Sequence, residues 1–154
     1  MPKIDLETVP VLTGTGYPAP FAGAVAGRSR MRIGDAGGLT QYGVNICTLK
    51  PGAASAHRHW HKNEDEFVYM LSGEAVLVED SGESVLTAGD AAAFPAGAAD
   101  GHHLVNRSKA DAVFLEVGTR AVSESVEYAD PAVDMRAVKD EKGWRYLHKD
   151  GQSW

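Results

Sequence analysis

Between residues 39 and 119 the chain runs in short apolar or alternating segments, punctuated by Pro51-Gly52, Ser72-Gly73, Ser81-Gly82, Ala88-Gly89 and Ala96-Gly97. The pattern predicts strands over 41–49, 55–60, 66–71, 75–79, 84–86, 91–94, 102–106 and 112–117. Many short, evenly spaced strands indicate an all-β sandwich or barrel. Residues 1–38 are rich in glycine and proline and read as an arm packed on that body. A C-terminal extension over 120–154 has strand patterns at 124–128 and 144–148, with a polar stretch between them. No segment carries a sustained 3.6-residue period, so helices of useful length are not expected.

The strand at 66–71 stands apart because it is bulky on both faces. Val68 and Met70 fall on one side and Phe67, Tyr69 and Leu71 on the other. A strand with one face in water alternates apolar with polar. Something must cover the second face, either the N-terminal arm or another subunit, and a homodimer is the expectation.

Composition narrows the classes. A chain of 154 residues, 44% hydrophobic, makes one domain with a substantial core, organised as arm 1–38, barrel core 39–119 and extension 120–154. The formal charge of −6 argues against nucleic-acid and anionic-membrane partners, which select basic surfaces. Small anionic ligands remain open, because they respond to local charge. The single cysteine, Cys47, has apolar neighbours and reads as an inert buried thiol. With no internal disulfide possible and no apolar leader at the start, a cytoplasmic location is expected.

The chemistry concentrates in histidines. In His57-Arg58-His59-Trp60-His61, alternate residues of an extended strand aim three imidazoles into one space. Glu66 follows, and His102 comes after a second set of tight turns. Imidazoles with one carboxylate suit a first-row transition metal, so the chain is expected to build one mononuclear centre. Fe, Mn, Ni, Co and Zn all fit, whereas the set is too nitrogen-rich for calcium or magnesium. Glu116 lies in an otherwise apolar strand and needs a partner. It could orient a ligand, pair with an arginine or act as a base. Arg28, Arg30 and Arg32 could clamp a substrate carboxylate or lie on a solvated arm.

These residues resemble the motifs of the cupin superfamily. Gly52, His59-Trp60-His61, the four residues to Glu66, and Gly73 after six more follow its first motif. Gly89, Pro95-Ala96-Gly97, His102 and Asn106 follow its second, except that four residues rather than two separate Gly97 from the histidine. Strict spacing would select Asp100. The distance to Asn106, and the family's use of imidazole there, select His102. More narrowly, the chain is similar to small single-domain bacterial cupin-2 barrel proteins. The resemblance implies a cupin-type jelly roll (a double-stranded β-helix barrel), usually dimeric, with a metal inside. It implies the ligands His59, His61, Glu66 and His102.

His57 shares the strand face of His59 and His61 and could displace one of them; by that register it lines the barrel mouth as a proton carrier or a donor to a ligand, and His57 and Glu116 are the catalytic candidates. Glu64 is expected in a solvated turn, His103 as a structural hydrogen bonder, and Trp60 turned away from the metal. The reading is a metalloenzyme of oxygenase, isomerase or lyase type acting on a small polar metabolite. The alternative is a non-catalytic ligand-binding or sensor cupin.

Overall fold

The apolar alternation at 112–117 becomes the middle of the larger sheet of the fold, which is described over residues 3–154 in a computed structural model. In chain order the strands are β1 (Val11–Thr13), β2 (Arg28–Met31), β3 (Tyr42–Leu49), β4 (His59–His61), β5 (Glu66–Ser72), β6 (Glu74–Glu79) and β7 (Gly82–Thr87). They continue as β8 (Ala91–Phe94), β9 (His103–Val105), β10 (Ala112–Thr119), β11 (Glu124–Tyr128), β12 (Arg136–Asp140) and β13 (Gly143–Leu147). Two single-turn helices, α1 (Ala19–Ala22) and α2 (Ile33–Ala36), sit in the N-terminal stretch. Among the described residues no helix is long and apolar enough to cross a membrane.

One sheet has six strands in the order β1-β2-β3-β10-β5-β8. The other layer comprises β13-β12-β11-β4 and β7-β6-β9, joined by a bridge between His59 and His102. The ladders are antiparallel throughout, giving the jelly-roll arrangement expected from the sequence. Cys47, Leu49, Met70, Leu77, Leu104 and Phe114 fill the space between the layers. A second cluster of Val126, Tyr128, Val133, Met135 and Ala137 takes Tyr17 and Phe21 from the N-terminal stretch.

Three features differ from the strand pattern read in the sequence. The N-terminal stretch is partly sheet: β1 and β2 extend the larger layer, with Arg28 opposite Leu49 and Arg30 opposite Cys47. The polar stretch after β11 contains β12, whose Ala137 is buried beneath charged neighbours. The strand read at 55–60 begins only at His59.

The second apolar face of β5 stays open in this chain. Phe67, Tyr69 and Leu71 are 39–45% exposed, because Tyr17 and Phe21 pack on the C-terminal strands instead. At the β5–β6 turn Gly73 is required twice over. Its φ is +72°, and a Cβ there would lie 2.3 Å from the Asp111 carbonyl oxygen.

Candidate metal centre

Three imidazoles from two chain segments converge on Glu66 of β5. β4 presents His59 and His61 from one face, two residues apart, and antiparallel pairing with β11 sets Val126 opposite His61 and Tyr128 opposite His59. His102 enters from the segment before β9, where its backbone exchanges hydrogen bonds of 2.9 and 3.1 Å with His59. Gly101 allows this approach: a Cβ at that position would lie 2.4 Å from the Ala129 Cβ.

Glu66 Oε2 lies 3.0 Å from His102 Nε2, 3.3 Å from His61 Nε2 and 3.5 Å from His59 Nε2. Ligands about 2.1 Å from a common ion stand about 3.0–3.4 Å apart in octahedral or tetrahedral geometry, so these spacings fit one first-row ion. His59, His61 and Glu66 form one of two groups of donor atoms that all lie within 4.8 Å of one another, and His61, Glu64 and Glu124 form the other. Asp100, the strict-spacing alternative to His102, instead accepts the Asp80 N–H at 2.8 Å.

The outer nitrogens set the tautomers. His59 Nδ1 lies 2.8 Å from the His57 carbonyl oxygen, so Nδ1 carries the proton and Nε2 keeps its lone pair. His102 Nδ1 leans on the Asp100 carbonyl at 3.4 Å, and its ring stacks on Phe94 with centroids 3.6 Å apart. His61 Nδ1 is buried without a hydrogen-bond partner and faces Glu64 and Glu124. The donor set therefore fits a metal ion.

Electrostatics favour the ligating forms of His59 and Glu66. Burial holds the His59 imidazole below its usual value, favouring the neutral, ligating form. Burial alone would lower His61, but Glu66, then Glu124 and Glu64, outweigh it and raise the ring. Burial likewise pushes Glu66 up, yet hydrogen bonds from His102, His59 and His61 hold it well below the usual carboxylate range.

A cavity of about 660 Å³ opens from this cluster and is lined by Arg28, Arg30, Glu116, Tyr128 and Tyr146 among others. Glu116 faces it from β10. Its oxygens accept Arg30 Nη2 and Asn45 Nδ2, both at 2.8 Å. Of the three outcomes open to this carboxylate, the structure shows pairing with an arginine. Cys47 is fully buried behind it; burial first, then Glu116, push its thiol well above the usual range. Inertness is expected of such a thiol.

His57 does not join this cavity, contrary to its placement at the barrel mouth. Its Nε2–H donates to the Phe21 carbonyl oxygen, 2.8 Å away, and the ring packs against Tyr17 and Phe21. The chain around it is not extended, so the strand-face argument fails there. Glu64 is buried rather than solvated, since it accepts the Ala121 N–H at 2.8 Å. His103 bonds the Ala56 carbonyl at 2.8 Å, the structural role expected of it. Tyr17, Tyr128 and Tyr146 were not singled out from the sequence. They gather from three distant segments, and no local spacing marks them.

The cupin domain family matches residues 45–118. A crystal structure described as a sugar phosphate isomerase from a cupin superfamily, from Silicibacter pomeroyi, is 47% identical. The match covers 99% of this chain and 96% of that one, with a TM-score of 0.95. A protein provisionally described as a sugar phosphate isomerase, from Acidithiobacillus ferrooxidans, is 29% identical over 80% of this chain and 77% of its own, with a TM-score of 0.73. A polyketide cyclase from Streptomyces resistomycificus shares the fold at 19% identity and a TM-score of 0.64, over 77% of this chain and 79% of that one. No curated protein matches in sequence.

Proposed function

Because this chain belongs to the cupin superfamily, we propose that His59, His61, Glu66 and His102 hold one divalent transition-metal ion in a metalloenzyme of isomerase type. The observation that carries the reading is the approach of three imidazole Nε2 atoms to one carboxylate oxygen, at 3.0–3.5 Å. The substrate class is a small polar metabolite, with sugar phosphates first in line from the 47% identical structure. Fe, Mn, Ni, Co and Zn all suit the donor set.

Such an ion supplies positive charge and open positions that bind and polarise a substrate oxygen. The chain's own residues do the rest. Tyr128 and Phe94 wall the cluster with aromatic surface and keep bulk water from it. Glu116 accepts from Arg30 and Cys47 at Oε2 and from Asn45 alone at Oε1, which leaves a lone pair on Oε1 free to take a substrate proton. The Arg30 pair fixes its direction. His57 is assigned no proton-carrying role.

The working unit is a homodimer joined through the open face of β5, whose Phe67, Tyr69 and Leu71 need cover. A cytoplasmic location is in keeping with the free Cys47.

The test is metal analysis of protein purified without chelators, followed by NMR assay of a panel of sugar phosphates and sugar acids. One ion per chain, lost in H61A, with turnover abolished in E116Q, supports the proposal. Protein that carries no ion removes it. An ion with ligand binding but no turnover would return the sensor reading.

A further inference from the structure

Burying a guanidinium is costly unless a counter-charge accompanies it. Arg28 is only 8% exposed and lines the cavity, yet none of the ion pairs among the described residues includes it. Arg30, two residues along the same inward face of β2, is neutralised by Glu116 at 2.8 Å. Arg32 is mostly exposed and stands 4.0 Å from Asp35. The unmatched positive charge of the cavity is therefore that of Arg28.

The side chain is nonetheless held in place. Its Nη1 donates to the Ser55 carbonyl and its Nη2 to the Gly14 carbonyl at 3.3 Å. Two of its five N–H groups are committed to these carbonyls, and neither acceptor carries a charge.

Tyrosines surround the same space. The Tyr17 ring lies 5.8 Å from Tyr128 and 5.7 Å from Tyr146, centroid to centroid, and all three line the cavity with Arg28. Burial first raises the phenols of Tyr128 and Tyr146, while Arg28 pulls both the other way, so each feels its charge and each keeps its proton at neutral pH. Burial first, then the charge of Arg30, lowers Arg28 itself, the direction expected of a cation lacking its anion. Tyr128 also stands opposite His59 on the neighbouring strand, their rings 5.9 Å apart. One aromatic side chain thus borders both the arginine and the metal cluster.

We infer that Arg28 is an oxyanion-binding residue, which takes a phosphate or carboxylate group of the substrate while the other end of that molecule faces His59, His61, Glu66 and His102. The inference rests on the reading of this cavity as a substrate site. Planar guanidinium matches either anion through two parallel hydrogen bonds. The tyrosine hydroxyls supply neutral donors. The short aromatic bridge limits the substrate to a small molecule with its charge at one end.

The experiment is calorimetric titration of the metal-loaded protein with inorganic phosphate and, separately, with acetate. Wild type, R28M and R28Q are compared, with metal content measured on the same samples. Wild type should bind at one saturable site per chain, and the tighter anion identifies the group recognised. Both variants should weaken that binding about tenfold or more, the scale of a lost charge-assisted pair, with metal content unchanged. R28Q keeps a polar head, so it decides the matter should R28M not fold. Equal affinity in wild type and R28Q, or no binding to wild type, would overturn the inference. Chelator treatment separates it from the metal reading. Anion binding that vanishes with the ion but ignores Arg28 overturns the inference and leaves the metal centre standing. Anion binding that depends on Arg28 in protein that holds no ion does the reverse.

Discussion

The backbone oxygen of His57 lies 2.8 Å from Nδ1 of His59, so it is the main chain of His57, and not its imidazole, that reaches the metal cluster. The imidazole is spent on the Phe21 carbonyl, also at 2.8 Å. H57A should therefore keep full metal occupancy, because its carbonyl remains. It should lose about 1–2 kcal/mol of stability from the broken hydrogen bond and the gap among Tyr17 and Phe21. H59A should lose the metal outright. Metal analysis with urea unfolding of both variants checks this, and a metal-free H57A would refute it.

Gly101 makes a second, separable demand. A Cβ there meets the Ala129 Cβ at 2.4 Å and Arg58 Cγ at 3.4 Å. Its φ is not in the left-handed region, so the obstacle to a side chain is space alone. G101A should cost about 1–3 kcal/mol, typical of overpacking, and should weaken metal binding by prising His102 from His59. Adding A129G removes the opposing methyl, so G101A/A129G should recover most of both losses. A double variant no better than G101A would show that space is not the cause.

The convergence of His59, His61, Glu66 and His102 is largely legible in the sequence because they sit in two short segments with fixed spacing. His59 and His61 share a strand face, and His102 was chosen over Asp100 by its distance to Asn106. The residues that shape the cavity were harder to read. β2 was hidden because its inward positions are Arg28 and Arg30, which read as a solvated arm until Leu49 and Cys47 are set opposite them. β12 was hidden because three of its five residues are charged. His57 misled because face arguments assume an extended chain, and the strand starts two residues later. In each case long-range pairing decided what local pattern could not express.

The open face of β5 carries the prediction about assembly. Phe67, Tyr69 and Leu71 project together from one face of β5, beside Ala91 and Ala93 of the edge strand β8. A stable interface buries about 1,200–2,000 Å², so these side chains would form the apolar centre of a wider contact between two copies. Light scattering at micromolar concentration should give twice the chain mass of 16.4 kDa. Y69K and L71K together should shift the mass to that of one chain with little change in metal content. A wild-type protein of single-chain mass would sink the dimer.

Tyrosine burial predicts how the protein responds to alkali. A phenol in an unfolded chain ionises near pH 10. In the fold, burial first and then Tyr17 hold Tyr128 far above that range, and burial with Tyr17 pushes Tyr146 up to about 12. Above about pH 10 the unfolded chain releases protons that the folded chain retains, so the unfolded state binds fewer protons. Stability must then fall as pH rises, with the contribution fully present below about pH 10 and lost progressively above it. Y128F removes one such group. Its stability should decline less steeply, by up to about 1.4 kcal/mol per pH unit, whatever the substitution costs at neutral pH. Urea unfolding at intervals from about pH 8 to pH 11 measures the two slopes. Parallel lines for Y128F and wild type would mean that Tyr128 ionises in the fold as readily as in the open chain, and the burial of its phenol between Arg28 and His59 would have to be abandoned.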